Sequence, residues 1–327
     1  MSILLIKRDE ISSLITMEET IESIEEIMRE KEFGRTQMPP KTYLYFNEYN
    51  GDLRVMPSYI KKSISAVKIV NVHPNNKNFG LPTIMAIIVL IEPKTGKPIA
   101  IMDGTRVTYL RTGAAGAIAI KYLSREGSET IGLIGAGVQA FSQIIAANCV
   151  LKINEISVFD IDKGVKNKFI QIMERKYPTI KISSVCNIEE VIKNKDILIT
   201  VTPSRVPIVK NKWIDEGIHI NAIGADAPGK QELDPLILKR ARIIVDDLQQ
   251  ASHSGEVNVP LKNGILSKND IYAELGEIIS GKKIGRDSNK QITLFDSTGL
   301  AIQDAAVAKA IYKKAIKKDV GIKIDLL

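Results

Sequence analysis

Between Ile131 and Ala140 the chain reads IGLIGAGVQA, an apolar run broken by a glycine turn that opens a helical pattern, and Val158-Phe159-Asp160 closes the next apolar run. That succession constrains the chain to strand, tight turn, helix and a second parallel strand. Gly135 is expected to make the turn, Gly137 to let the backbone approach a pyrophosphate, and Ala140 to let helix pack closely on strand. The helix N-terminus then faces the phosphates of a dinucleotide. Asp160 stands 20 residues past Ala140, about where a carboxylate holds ribose hydroxyls. It suits the free 2′-hydroxyl of NAD and repels the 2′-phosphate of NADP, so NAD is the expected cofactor. Asp162 and Lys163 blur that choice, because a lysine just past the strand also suits a phosphate.

The chain divides on pattern. Thr16-x-x-Glu19 is a capping box, with Ile21, Ile24, Ile27 and Met28 at helical spacing and an end near Gly34. From Tyr43 to Leu90 short strand-like runs (YLYF, LRVM, AVKIVNV, TIMAIIVLI) are broken by Asn50-Gly51, Pro57, Pro74 and Gly80-Leu81-Pro82. A turn over Glu92 to Gly96 leads into PIAIMD, so this region reads as α+β. TRVTYLRTGAAGAIAIKYL is then a helix whose small residues imply very close packing. Beyond it strands and helices alternate (EISVFD, a helix from about Gly164 to Tyr177, KISSV, DILITVT, IHINAIG, ARIIVDD, QITLFD), which predicts a parallel doubly wound sheet. A last helix over about Asp304 to Lys317 is expected to return to the first domain. The expected fold is α/β: a Rossmann-type doubly wound parallel sheet domain over 114–301, plus an α+β substrate-binding and dimerisation domain formed by 1–113 and 302–327.

At 327 residues the chain exceeds a domain of about 100 to 200 residues, which agrees with two domains. Apolar residues at 44% and charged residues at 25% describe a globular protein and argue against disorder. No apolar run has the length of a membrane span, and the N-terminal MSILLIKRDE is too short in apolar residues for a signal peptide, so a cytoplasmic protein with no membrane partner is expected. Cys149 and Cys186 form no CxxC pair, and His73, His219 and His253 have no ligand spacing, so no metal is expected. The net charge of +7 and Lys313, Lys314, Lys317, Lys318 and Lys323 read as a solvated helix face, not a nucleic-acid surface, because no aromatic residues interleave with them.

In doubly wound sheets ligands collect at the carboxyl ends of the strands. Those ends read Asp160, Thr202-Pro203-Ser204, Ala222-Ile223-Gly224-Ala225-Asp226, Asp246-Asp247 and Asp296-Ser297. Thr202 and Ser297 carry hydroxyls suited to ribose or amide contacts, although turn hydroxyls are common there. Asp226, in GADAPGKQEL, is a candidate proton acceptor, while Asp234 before Pro235 suits a capping role. The first domain offers Arg54, Lys68 and Arg111, each inside or beside an apolar run. Buried cations require an anion, and the three together suggest a substrate carboxylate. An outward-facing strand position accounts for each of them separately.

These segments together resemble the ornithine cyclodeaminase and mu-crystallin family, most closely its archaeal alanine dehydrogenase branch. The resemblance runs along nearly the whole chain through QMPPKTYL, DLRVMPSY, VKIVNVHPNN, GLPTIMA, MDGTRVTYLRTGAAGA, IGAGVQA, TPSRVPIV, HINAIGADAPGKQELD, VDDLQQA, GE and FDSTGLAIQDAAVA. It implies a homodimer in which Lys68 and Arg111 hold a substrate carboxylate; on the reading of the cations above, Arg54 is expected to hold that carboxylate together with Arg111. It further implies that Arg111, Thr112, Gly135, Gly137, Val138, Gln139, Asp160, Thr202, Ile223, Lys230 and Ser297 contact the cofactor, and that Asp226 and Lys68 are catalytic. Cyclodeaminases carry an acidic residue where this chain has Arg54. That arginine is expected to repel ornithine's second ammonium by about 1 to 4 kcal/mol. The implied activity is NAD-dependent oxidation of L-alanine to pyruvate and ammonia. Reduction of ketimines such as cyclic imino acids, cyclodeamination of ornithine, and a mu-crystallin-like binding protein are the alternatives.

Overall fold

The computed structural model describes residues 2–325, which fall into two compact units, 2–111 with 300–325, and 112–299. Residues 1, 326 and 327, part of the expected first domain, lie outside the described residues.

The first unit is built on an eight-stranded mixed sheet. Its order runs Ile322–Asp325, Ser2–Ile6, Pro98–Asp103, Ile84–Ile91, Ile64–Val72, Gly51–Ile60, Thr36–Gln37, with Thr42–Phe46 also paired to Gly51–Ile60. Alternation is strict in the two long central strands: Arg54, Met56, Ser58 and Ile60 are buried on one, and Ile64, Ala66, Lys68 and Val70 on the next. Successive side chains point to opposite faces, so Arg54 and Lys68 lie on the apolar, covered face. The outward-facing explanation for these two cations is thereby removed. Helix Ala301–Lys318 packs on these strands, and Ser58 Oγ donates to the carbonyl of Ala301 at 3.0 Å.

Pro57 was expected to end a strand, yet Gly51–Ile60 runs through it, paired with Val67. On the opposite edge Thr42–Phe46 pairs only as far as Val55, and Thr36–Gln37 begins at Tyr59. The missing proline N–H therefore falls in the gap between two partners, where no ladder bond is lost. The Thr16 box forms, with Glu19 N donating to Thr16 Oγ1 at 3.2 Å and Thr16 N to Glu19 Oε2 at 2.9 Å. Helix Met17–Glu32 ends before Gly34, which takes φ +67°.

The second unit holds an eight-stranded sheet in the order Lys181–Ser184, Glu155–Phe159, Thr130–Ile134, Ile197–Thr200, His219–Ala222, Thr293–Asp296, Arg242–Val245, Ile271–Glu274, with every pairing parallel. Strand order departs in both directions from Thr130–Ile134. The topological switch point therefore lies between it and Ile197–Thr200. Ile131, Leu133, Leu198, Ile220, Ile244 and Leu294 are fully buried, as strands covered on both faces require. This is the Rossmann-type doubly wound sheet the pattern predicted. Among the described residues no helix is long and apolar enough to cross a membrane.

Candidate active site

In the second unit the fingerprint lies at the switch point. Gly135 has φ +94°, and a Cβ there would stand 3.0 Å from the carbonyl oxygen of Val201, so no other residue fits without strain. Gly137 is the N-cap of helix Val138–Val150 and supplies no side chain to its first-turn amides. A Cβ at Gly137 would meet nothing within 4 Å. Glycine here keeps open the space above a helix N-terminus whose N–H groups favour an anion. Asp160 Oδ2 accepts from Ala136 N at 2.7 Å and Oδ1 from Asp162 N at 2.8 Å. One carboxylate thus ties the second strand's end to the glycine loop and keeps lone pairs for hydroxyls. Asp162 caps the following helix through Gly164 N and Val165 N, which gives it a structural task.

Beyond the next strands a carboxylate that sequence reasoning passed over organises the loops. Glu232 is fully buried and accepts from Thr200 Oγ1 (2.8 Å), Thr202 N and Oγ1 (2.7 Å each) and Gly224 N (3.0 Å). The Thr202 hydroxyl proton is therefore committed to Glu232. Glu256, also fully buried, accepts from the backbone N–H groups of Glu232 and Leu233. Burial raises the pKa of both, Glu256 well above the usual range, where the neighbouring Glu232 charge adds to the effect. Their only sequence signal was position, in GKQELD and GE. Asp226 follows this braced strand end; its amide donates to the Gly224 carbonyl, and its Oδ1 lies 2.6 Å from Lys230 Nζ, an ion pair four residues apart. Ile223 is buried, its amide donating to Thr200. Thr112 is buried and its carbonyl accepts from Gln143 Nε2 at 2.8 Å. Val138 is largely exposed.

Among the described residues, the buried polar atoms without a hydrogen-bond partner include Ser297 Oγ, at the carboxyl end of Thr293–Asp296, and Gln139 Oε1, in the first turn of the fingerprint helix. Leaving such atoms unpaired costs about 1 to 3 kcal/mol each. Together with the uncapped helix start and the vacancy a Gly137 side chain would fill, they fit a polar, phosphate-bearing nucleotide. Among the described residues no group of three or more His, Cys, Asp or Glu is placed to hold a metal.

In the first unit the three cations divide into two groups. Arg54 is 4% exposed and its Nε and Nη2 donate to Asp52 Oδ1 and Oδ2 at 2.8 and 3.0 Å. This bidentate pair gives Arg54 an internal anion partner. It also neutralises the positive charge on which the expected repulsion of a second ammonium depended. Lys68 and Arg111 meet at Asp304: Lys68 Nζ is 2.6 Å from Oδ2 and Arg111 Nε 3.3 Å from Oδ1. All three are at least nine-tenths buried. Burial pushes the Lys68 ammonium down from 10.5 to about 7; Asp304 pulls it up and Arg111 pushes it down. Asp304 was expected only to begin the last helix. That helix starts a turn earlier, at Ala301, with the Leu300 amide donating to Gln303 Oε1. Gly-Leu-Ala offers no conventional capping side chain, so this start is hidden in sequence.

The fold and these clusters define a protein with a dinucleotide-type sheet in one unit and a buried cationic centre in the other. The family model for ornithine cyclodeaminase/mu-crystallin matches residues 2–319, and the chain belongs to that family. It is 49% identical to an alanine dehydrogenase of Archaeoglobus fulgidus over 324 residues, 99% of this chain and 98% of the relative. An archaeal alanine dehydrogenase dimer with bound NAD superposes with TM-score 0.96 at 49% identity, covering 100% of both chains. The Thermococcus litoralis Delta(1)-pyrroline-2-carboxylate reductase, in complex with NADH and L-proline, gives TM-score 0.96 at 41% identity, covering 98% of this chain and 100% of the other.

Proposed function

We propose that this chain is a cytoplasmic, homodimeric, NAD-dependent L-alanine dehydrogenase that interconverts L-alanine with pyruvate and ammonia. The reading is carried by one observation. Two buried cations, Lys68 and Arg111, share a single internal carboxylate. The surplus positive charge calls for an anionic ligand, and the carboxylate of an amino acid supplies it. Bound NAD supplies the hydride acceptor. The residues that fit it are Gly135, Gly137, Val138, Gln139, Asp160, Thr112, Thr202, Ile223, Lys230 and Ser297: the glycine turn for the pyrophosphate, Asp160 for ribose, and the unpaired Ser297 hydroxyl for an amide. Arg111 and Lys68 hold the substrate carboxylate. Lys68, with its pKa near 7, is suited to move a proton at neutral pH, and Asp226 takes the proton of the attacking water. Arg54, neutralised by Asp52, shapes the wall of the centre.

Purified protein mixed with L-alanine and NAD is expected to generate NADH, and pyruvate with ammonia to consume it. The nearest rival, reduction of a cyclic imino acid, is supported by the similarity to the pyrroline-2-carboxylate reductase. Turnover of pyrroline-2-carboxylate with none of alanine would move the assignment to imine reduction. Tight NAD binding without turnover of either would leave a binding protein.

The protonation of Lys68 gives a second expectation. The lysine must be charged to attract a carboxylate, and its free-state pKa is lowered to about 7. Affinity for pyruvate in the presence of NAD should therefore be constant below pH 7 and fall by up to about tenfold per pH unit above it, as the proton is lost. Calorimetry across pH 6 to 9 in buffers of different ionisation enthalpy checks this. Proton uptake on binding at pH 8 is the accompanying signature.

A further inference from the structure

We propose that Asp304 is a positioning residue that sets the charge of the carboxylate-binding centre, dividing its single negative charge between Lys68 and Arg111 so that the centre accepts one carboxylate and rejects two. The inference rests on the functional reading above for the substrate's chemistry, but its geometry lies wholly within the first unit. Each Asp304 oxygen takes one cation, Oδ2 the Lys68 ammonium at 2.6 Å and Oδ1 the Arg111 guanidinium at 3.3 Å. With Lys68 protonated, two cations and one anion leave a net +1. Asp304 itself sits in the first turn of Ala301–Lys318, where the helix dipole favours a carboxylate, and it is 1% exposed.

Among the described residues, the groups acting most strongly on Lys68 bring no negative charge besides Asp304. On its flanking strands its register partners are Met56 and Ile88, both uncharged. Thr108 Oγ1 lies 3.4 Å from Nζ, and Lys41, ahead of Thr42–Phe46, adds positive potential. A monocarboxylate completes the balance. A dicarboxylate brings a second charge that must be desolvated without a partner. Asp304 also acts through Lys68, since its charge favours the ammonium that a carboxylate needs.

The test uses the full chain labelled with [13Cε]lysine, the Lys68 resonance being assigned by its loss in Lys68→Met. In the unsubstituted protein the Lys68 titration midpoint is expected near 7. In Asp304→Asn it should fall by about one pH unit or more, because an attractive charge is gone while Arg111 remains. In Asp304→Glu it should stay within about half a unit of the parent. In parallel, measured at a pH below the Lys68 midpoint of each protein so that the ammonium is charged in all of them, inhibition by oxaloacetate relative to pyruvate should rise about tenfold or more in Asp304→Asn and stay near the parent ratio in Asp304→Glu. An unmoved or raised midpoint in Asp304→Asn, or an unchanged inhibitor ratio, overturns the proposal. Should Asp304→Asn fail to fold, the parent alone decides: inhibition by oxaloacetate as strong as by pyruvate overturns it, and a preference of about tenfold for pyruvate supports it. The lysine titration needs no substrate, so absent alanine turnover with a shifted midpoint would remove the functional reading and leave the Asp304 coupling intact.

Discussion

Asp226→Asn is expected to lower turnover by about 10² or more while leaving the dissociation constant for NAD nearly unchanged. The substitution is close to isosteric. The loop around it is held by groups the change does not touch: Gly224 N on Glu232, Asp226 N on the Gly224 carbonyl, and Gly229 N on Asn258 Oδ1 at 3.0 Å. An asparagine oxygen still accepts from Lys230 Nζ, 2.6 Å from the carboxylate in the parent, so the local contact survives. What is lost is the capacity to take a proton, together with the negative charge that faces Lys230. Stopped-flow measurement of the hydride step and fluorescence titration with NAD separate the two effects. A normal rate would remove Asp226 from the mechanism, and a parallel loss of NAD affinity would make it a cofactor contact.

The roles proposed for Lys68 and Asp226 rest on their different surroundings. Lys68 is desolvated, and its ammonium is held near neutrality by the opposed effects of burial and Asp304. Asp226 retains about a third of its side-chain surface and an ion pair with Lys230. A buried lysine near pH 7 exchanges its proton with an amine or imine at little cost, whereas a solvent-reached carboxylate suits removal of a proton from water.

The fold was readable from periodicity because its strands obey simple rules: two-residue alternation in the first unit and unbroken apolar runs in the second. What escaped was short or irregular. Ile271–Glu274 carries Tyr272 and Glu274 and presents no apolar run, and Ser2–Ile6 and Ile322–Asp325 are paired only in the folded sheet. Lys323 accordingly lies on a strand, not on the helix face where it was expected. The glycine turn and Asp160 were legible because their chemistry is local in sequence. Asp304 and Glu232 were not. Each looks like an ordinary surface acid until packing brings to it donors from 32 to 236 positions away, Thr200 for Glu232 and Lys68 for Asp304. The internal partners of Arg54, Lys68 and Arg111 were hidden for the same reason, since spacing alone does not reveal that Asp52 and Asp304 lie against them.

Two glycines of the second unit are expected to give opposite results on substitution by alanine, and the contrast separates packing from binding. A Cβ on Gly113 would overlap Ser142 Oγ and stand 2.5 Å from the Ser142 carbonyl oxygen and 2.8 Å from its carbon. Backbone, not a flexible tip, is in the way. The helices Gly104–Leu123 and Val138–Val150 would have to separate across a layer in which Ala114, Ala117, Ala140 and Ala146 are fully buried. Overpacking of this severity costs roughly 3 kcal/mol, against a gain of about 1 kcal/mol in helix propensity. For a unit of this size the net loss lowers Tm by roughly 4 to 8 °C. Gly137→Ala meets no atom within 4 Å, and Gly137's φ of −72° and ψ of −168° are open to any residue. Its Tm should stay within about 2 °C of the parent. The added methyl group instead occupies the space in front of the helix N-terminus, so NAD affinity should fall about tenfold or more, because backbone approach to the pyrophosphate is blocked. Calorimetric Tm values and NAD titrations on both variants decide the matter: unchanged NAD affinity in Gly137→Ala would mean that the dinucleotide phosphates lie elsewhere.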